Sequence, residues 1–298
     1  MADKLSIFEG VSVDEAITKE QYHAYYPRTN NFNFNDEIRI NINNEDQYTF
    51  PQGSFLYLEG EFNEQSEGTG ECTLTNNADA FLFEQIRYEL NGVEIDRCLK
   101  PGITSTIKAY ISFSDNESRS LEMAGWCPFS DKQPTLSAGK KFSVCIPLKF
   151  FLGFAEDYNK IIINAKQELI LVRSKSDDNC YKNSTTNATK KAQIEIQKIE
   201  WYIPHISVSD EMRLKLMEAF HIDKPIYISF RKWELYKLPS LRNTRTDIWP
   251  VKTSTNLEKP RYVILAFQHK RKDNFLADTS SFDHSSIENI KLYLNSEN

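Results

Sequence analysis

Short segments in which polar and apolar residues alternate recur along this chain, and they constrain its fold more than any other feature. Residues 37–43 (EIRININ) and 54–62 (SFLYLEGEF) both alternate with a period of two. Successive side chains of an extended strand point to opposite faces, so this pattern predicts strands with one buried face. Because an isolated hairpin is barely stable in water, many such strands must be buried together in stacked sheets.

The clearest of these segments spans residues 85–97 (QIRYELNGVEIDR). Two alternating runs flank the dipeptide Asn91-Gly92. Asparagine and glycine tolerate the positive φ angles that both central positions of a type I′ turn require. The sequence therefore predicts a β-hairpin closed by a two-residue turn.

Strand patterns continue through the rest of the chain, and helical patterns are few. Further strands are predicted at residues 141–148, 160–173, 193–203, 225–235, 261–268 and 287–294. A short helix is predicted at residues 103–113, and a second one after the capped start Ser207 to Glu211. No strand–helix–strand alternation is visible, so we predict an all-β fold built from two tandem jelly-roll β-sandwiches, with short helices in the connections.

The length of 298 residues is about twice that of a usual domain. The polar run Ser174 to Ala192 is almost free of apolar residues, which is typical of an exposed loop. We therefore predict an N-terminal arm over residues 1–20, a first jelly roll over 21–175, a linker or loop over 176–192 and a second jelly roll over 193–298.

The predicted second jelly roll is short for its architecture, which takes eight strands. Its residues also have to supply a helix and long loops. We therefore expect it to be incomplete, as in a truncated copy or a fragment, and to leave apolar side chains such as Phe267, Leu292 and Leu294 without cover.

Charge argues against a protein that coats nucleic acid, since the net charge is −6 and such proteins are normally basic. Local basic clusters at residues 140–141, 190–191 and 269–272 are interpreted as solvated loops. Basic and aromatic residues also interleave at 230–233 and 267–271, which suits strand packing better than a stacking surface for single strands. We predict no sequence-specific nucleic-acid binding.

Residue patterns for catalysis or metal binding are not found. The histidines do not have the spacing of a metal site, and they are His23, His205, His221, His269 and His284. The acidic pairs Glu45-Asp46 and Asp177-Asp178 fall in polar loops, and no nucleophile elbow, P-loop or dinucleotide motif is present. We therefore predict that the protein is not an enzyme and has no catalytic, cofactor-binding or metal-binding residues.

The cysteines are odd in number, scattered and without CxxC spacing, at positions 72, 98, 127, 145 and 180. This usage is typical of a reduced, intracellular site of assembly. No stretch approaches the ~20 apolar residues of a membrane helix, so we predict no membrane insertion.

Two parts of the sequence resemble known viral proteins. Residues 146–152 (IPLKFFL), followed by 161–173 (IIINAKQELILVR), resemble the end of the first barrel in double jelly-roll major capsid proteins of large eukaryotic DNA viruses. Residues 201–205 (WYIPH), 249–251 (WPV) and 259–268 (KPRYVILAFQ) are similar to capsid-like proteins of elements integrated in arthropod genomes. Those elements relate to Maverick/Polinton and adintovirus-type viruses.

The resemblance implies a structural virion protein, the major capsid subunit, which assembles with itself into trimeric capsomers and a capsid lattice. It also implies minor capsid proteins as partners, assembly in the cytoplasm or nucleus, and no catalytic residues. A β-sandwich binding module, lectin-like or of receptor type, remains the alternative, and an enzyme ranks third.

Overall fold

The computed structural model describes residues 16–43, 48–128, 140–185, 187–222, 225–240, 246–251 and 260–293. The strands found in these residues are β1 (Ile17–Tyr25), β2 (Glu37–Ile42), β3 (Tyr48–Thr49), β4 (Phe55–Glu64), β5 (Cys72–Leu74), β6 (Phe83–Leu90), β7 (Val93–Leu99), β8 (Lys141–Pro147), β9 (Gln167–Arg173), β10 (Tyr181–Asn183) and β11 (Ala192–Val208). The large number of strands and the shortness of the helices confirm the predicted β-rich fold class.

Helices are short and lie in the connections, as the sequence predicts. They are α1 (Ala78–Phe81), α2 (Pro101–Ser112), α3 (Asp115–Ser120), α4 (Gly153–Asp157) and α5 (Asp210–His221), with 3₁₀ turns at Pro51–Gly53, Glu122–Ala124 and Leu148–Phe150. The predicted helices at 103–113 and after Ser207 correspond to α2 and α5. The Ser209 hydroxyl accepts a hydrogen bond from the Met212 backbone N–H at 3.4 Å, which caps α5. No helix in the described ranges is long and apolar enough to cross a membrane.

Two antiparallel sheets form a complete jelly roll. One sheet has the order β1-β11-β4-β8 and the other the order β2-β9-β6-β7. The pairs are nested along the chain, since β1 pairs with β11, β2 with β9, β4 with β8 and β6 with β7. This is the eight-stranded arrangement of a jelly roll. The short strands add to it, with β3 on β11 and β5 on β10.

The core lies between the two sheets and follows the alternation read from the sequence. Ile38, Ile40 and Ile42 of β2 are fully buried, and so are Leu56 and Leu58 of β4. The residues between them on each strand are half-buried. The predicted faces are therefore confirmed for these strands.

The hairpin at the β6–β7 turn is confirmed. Asn91 has a φ of 49° and Gly92 a φ of 78°, the left-handed values that a type I′ turn needs. The two strands pair from Leu90 with Val93 to Gln85 with Leu99.

Strand β11 corrects the predicted start of the second jelly roll at residue 193. It lies inside the first jelly roll, between β1 and β4, and is the eighth strand of that sandwich. Strand β1 likewise begins at Ile17, within the residues predicted as an arm. The alternating pattern of residues 193–203 correctly predicts a strand, but such a pattern does not reveal which strands it pairs with.

The prediction of an exposed linker over residues 176–192 is wrong for its first half. Asp177, Cys180 and Tyr181 are buried, and β10 pairs with β5 there. Polar residues of this half have internal partners, since Asp177 pairs with Arg173 and the Asn183 amide donates to the Lys190 carbonyl. Polarity alone therefore did not imply exposure.

Strands predicted at 225–235, 261–268 and 287–294 are not formed in the described residues. Only a single bridge, between Phe267 and Asp283, occurs there. Leu292 is exposed and Phe267 half-buried, while Leu294 lies outside the described residues. The bounds of a second jelly roll stay a prediction.

Candidate functional site

A buried ion pair fixes the turn that leads from β9 towards β11. The Arg173 Nη2 atom lies 2.5 Å from the Asp177 Oδ1 atom, and Arg173 Nη1 donates to the Leu82 carbonyl at 2.8 Å. The other Asp177 oxygen accepts from the Ile194 backbone N–H at 2.8 Å. Burial raises the pKa of Asp177, whereas the neighbouring guanidinium opposes this rise. These bonds tie the turn to the last strand of the jelly roll.

A second buried polar group, Asp96, holds helix α4 against strand β7. Its carboxylate accepts from the backbone N–H groups of Phe154 at 2.9 Å and of Arg97 at 2.8 Å. Burial raises the pKa of this carboxyl. On the other side of α4, the buried Lys108 ammonium donates to Glu156 and to the Lys149 carbonyl, each at 2.7 Å. These bonds fix helix α4 to the jelly roll.

The chain after α5 returns to this helix and docks on it. The Arg231 guanidinium forms two bonds to the Asp157 carboxylate, from Nε at 2.8 Å and from Nη2 at 2.6 Å. The Phe230 ring packs edge-on against Phe154, with centroids 5.5 Å apart. A Cβ atom placed on Gly153 would lie 1.7 Å from the Arg231 carbonyl oxygen. Only glycine at position 153 allows this close approach.

The same part of the chain docks a second time, beside β10. Asn179 and Asp273 exchange two hydrogen bonds, at 2.9 Å and 2.8 Å. The Asn183 backbone N–H donates to the Phe275 carbonyl at 2.8 Å, and the rings of Phe275 and Tyr181 lie 6.1 Å apart. Residues 273–275 are thus anchored to the jelly roll.

Between and beyond these two docking points the chain exposes many large apolar side chains. They belong to the three segments with strand patterns at 225–235, 261–268 and 287–293, which we call the strand-like segments, and to the stretch near 250. The exposed residues are Ile226, Tyr227, Ile228, Ile248, Val251, Tyr262, Val263, Ile264, Leu265, Ile287, Ile290, Leu292 and Tyr293. Contiguous exposed apolar patches mark sites of protein association, and these side chains are the candidates for such a patch.

The structure brings together one pair of the five histidines. The imidazole rings of His23 and His205 lie 4.2 Å apart, whereas His221, His269 and His284 are exposed. No group of three metal-ligating side chains occurs in the described part of the chain. Of the acidic pairs, Asp177 belongs to the buried ion pair, and Glu45-Asp46 lies outside the described residues.

Basic residues of the predicted clusters have acidic partners. The ammonium groups of Lys140 and Lys190 lie 2.5 Å and 2.6 Å from the Glu64 carboxylate. Arg271 forms a bidentate pair with Asp283, with the shorter bond at 2.6 Å. Lys140 and Lys190 thus share the single negative charge of Glu64, and the charge of Arg271 is balanced by that of Asp283. The sequence did not reveal the buried groups Arg173, Asp96 and Lys108, because no local pattern distinguishes a buried charge from an exposed one.

Comparison with known families decides the classification. The sequence profile of the double jelly roll-like domain matches residues 72–298, well over half of the chain. The chain belongs to this family. No curated protein matches it.

Solved structures that are similar to this chain include chains from viruses. A chain of the PBCV-1 virus capsid is 15% identical, with 70% of this chain and 46% of that chain covered and a TM-score of 0.42. The Faustovirus major capsid protein is 10% identical, with 72% and 58% covered and a TM-score of 0.49. A chain of the Sputnik virophage is 10% identical, with 70% and 52% covered and a TM-score of 0.48. The double jelly roll-like chain described here spans about half the length of these chains.

Proposed function

We propose that this double jelly roll-like protein is a structural virion protein, the major capsid subunit of a DNA virus, and not an enzyme. The observation that supports this most is the combination of a complete eight-stranded jelly roll with a second set of strand-like segments. The first part contains all eight strands and a buried core of its own. The second part exposes apolar side chains that become buried when subunits associate.

The domain boundaries in this proposal differ from those predicted from the sequence. The first jelly roll extends from Ile17 to Val208, where β11 ends. Helix α5 follows it, and the second jelly roll begins after this helix. The strand-like segments become strands of that second sandwich in the assembled capsomer, which is a homotrimer within a capsid lattice.

Within the DNA viruses, we assign the protein to the Maverick/Polinton and adintovirus-like group. It would be a capsid-like protein of an endogenous viral element in an arthropod genome. This assignment is supported by the sequence resemblance at residues 201–205, 249–251 and 259–268. The virion is then the place where the protein acts, after assembly in the cytoplasm or nucleus. Minor capsid proteins are the expected further partners.

Size-exclusion chromatography with light scattering, followed by negative-stain microscopy, tests the proposal. We expect trimers or larger particles. A variant with Tyr262→Ser and Leu292→Ser should shift the mass towards the monomer, since both side chains are exposed in the strand-like segments. The matched control is Val93→Ser, which removes an exposed apolar side chain from the hairpin of the jelly roll.

A stable monomer that binds glycans would contradict the capsid proposal. It would favour the alternative, a lectin-like binding module. Equal effects of the control and the double variant on the mass would show that the strand-like segments have no special part in association.

A further inference from the structure

The two histidines that meet in the structure lie where an edge strand joins its sheet. Strand β1 pairs with β11 alone among the strands of its sheet, so no strand of the described residues pairs with its other edge. Most residues of β1 are exposed, and the last three are half-buried. It therefore has little buried apolar surface to hold it in place, which makes it the strand of this sheet that detaches most easily.

His205 of β11 lies under this strand. It is 6% exposed, and its neighbours across the sheet are Gln21 of β1 and Thr49 of β3. Its Nε2 atom lies 3.0 Å from the Tyr25 hydroxyl of β1. Its Nδ1 atom is buried and has no hydrogen-bond partner. A proton on Nδ1 would thus be a buried donor without an acceptor, which is unfavourable.

His23 of β1 adds a second unfavourable contact when His205 becomes charged. Its ring is 4.2 Å from that of His205, with an angle of 36° between the planes. Two imidazolium rings at this distance repel each other. Among the described residues, the titratable groups that face His205 are those of His23 and Tyr25, both from β1, whereas β3 contributes Thr49, which does not titrate. We propose that these two neighbouring histidines form an acid-sensitive latch, which releases strand β1 from the jelly roll when the surrounding medium becomes acidic.

The pH range in which β1 is released follows from the pKa of His205 in the attached and the detached states of the strand. Burial and the nearby His23 lower the pKa of His205 from 6.5 to about 4 while β1 is attached. Detachment exposes the ring and removes His23, so its pKa returns towards 6.5. Between these values the detached state binds the extra proton, and attachment weakens as the pH falls. The equilibrium shifts towards release about tenfold per pH unit, or on the order of 300-fold over the whole range.

Hydrogen exchange of the whole chain, pulsed at pH values from 7.5 to 4.5 and corrected for the intrinsic rate, tests the latch. Protection of the amides in β1 should fall about tenfold per pH unit below pH 6.5. Amides of β2, which carries the fully buried Ile38 and Ile40, serve as the internal reference. His205→Gln should abolish the pH dependence in β1, and His23→Gln should reduce it. His221→Gln, at an exposed position of α5, should leave it unchanged.

Three results would overturn the latch. One is a protection of β1 that changes with pH no more than that of β2. Another is a wild-type dependence that persists in both the His205→Gln and the His23→Gln variants. The third is an ordinary pKa near 6.5 for His205 while β1 is attached, measured by NMR titration of the wild-type imidazoles. This titration and the His23→Gln variant test the latch even if His205→Gln fails to fold.

Discussion

Removing the carboxylate of Asp177 should destabilise the jelly roll far more than removing that of its neighbour Asp178. Arg173 is 1% exposed and Asp177 is 3% exposed, so Asp177→Ala leaves a guanidinium buried without its counter-charge. Such a loss costs about 3–5 kcal/mol. The Ile194 N–H also loses its acceptor. For a domain of this size the melting temperature should fall by about 6–20 °C.

Thermal unfolding followed by circular dichroism measures this difference. Asp178→Ala is the matched control, because Asp178 is only half-buried, and its effect should stay within about 0.5 kcal/mol. A double variant, Arg173→Met with Asp177→Leu, should recover much of the lost stability, since it removes both charges and fills the space. If Asp177→Ala and Asp178→Ala destabilise equally, the turn is solvated and our account of β9 to β11 is wrong.

Further predictions concern single positions of the fold. Gly92→Val should lower the free energy of unfolding by about 1 kcal/mol in denaturant titrations, because valine is strained at the φ of 78° while its Cβ meets nothing within 4 Å; an unchanged midpoint would count against the type I′ turn. Gly153→Ala should displace the docked segment at Arg231 and increase tryptic cleavage there, with little change in the melting temperature of the jelly roll; unchanged cleavage would refute the docking. Burial raises the pKa of Asp79 from 3.8 to about 7, so the folded state holds a proton that the unfolded state has lost, and stability should fall as the pH rises from about 4 to about 7. Asp79→Asn should remove this dependence and stabilise the protein at pH 8; the same slope in the variant would contradict the assignment.

Local features of the fold could be predicted from the sequence because their causes are local. The turn at Asn91-Gly92 needs only two residues that tolerate positive φ, and both are adjacent in the chain. The buried faces of β2 and β4 follow from alternation within six to ten residues. Helix α5 was recognisable from its serine cap and the acidic residues of its first turn.

Pairing between distant strands could not be predicted in the same way. The alternation in residues 193–203 is the same whether the strand begins a second sandwich or completes the first. Its actual partners, β1 and β4, are set by the nesting of all eight strands. The same limit applies to the strand-like segments, whose patterns are typical of strands but which form only the Phe267–Asp283 bridge in the described residues.

Buried charges were the other feature that the sequence concealed. The run Ser174 to Ala192 has the composition of a linker, yet Asp177 within it is held under β11 by Arg173. Asp157 and Arg231 meet across more than seventy residues of sequence, at a distance that no spacing rule covers. Polar residues of this kind are assigned to loops unless their partners are known.

A cryo-electron microscopy reconstruction of the assembled protein tests the central claim most directly. We expect trimers in which residues 17–208 keep the eight-stranded jelly roll and the strand-like segments at 225–235, 261–268 and 287–293 are paired in a second sandwich. Particles that are not built from trimers would contradict the account of this protein as a capsid subunit. A monomer in which these three segments remain unpaired and exposed would contradict it as well.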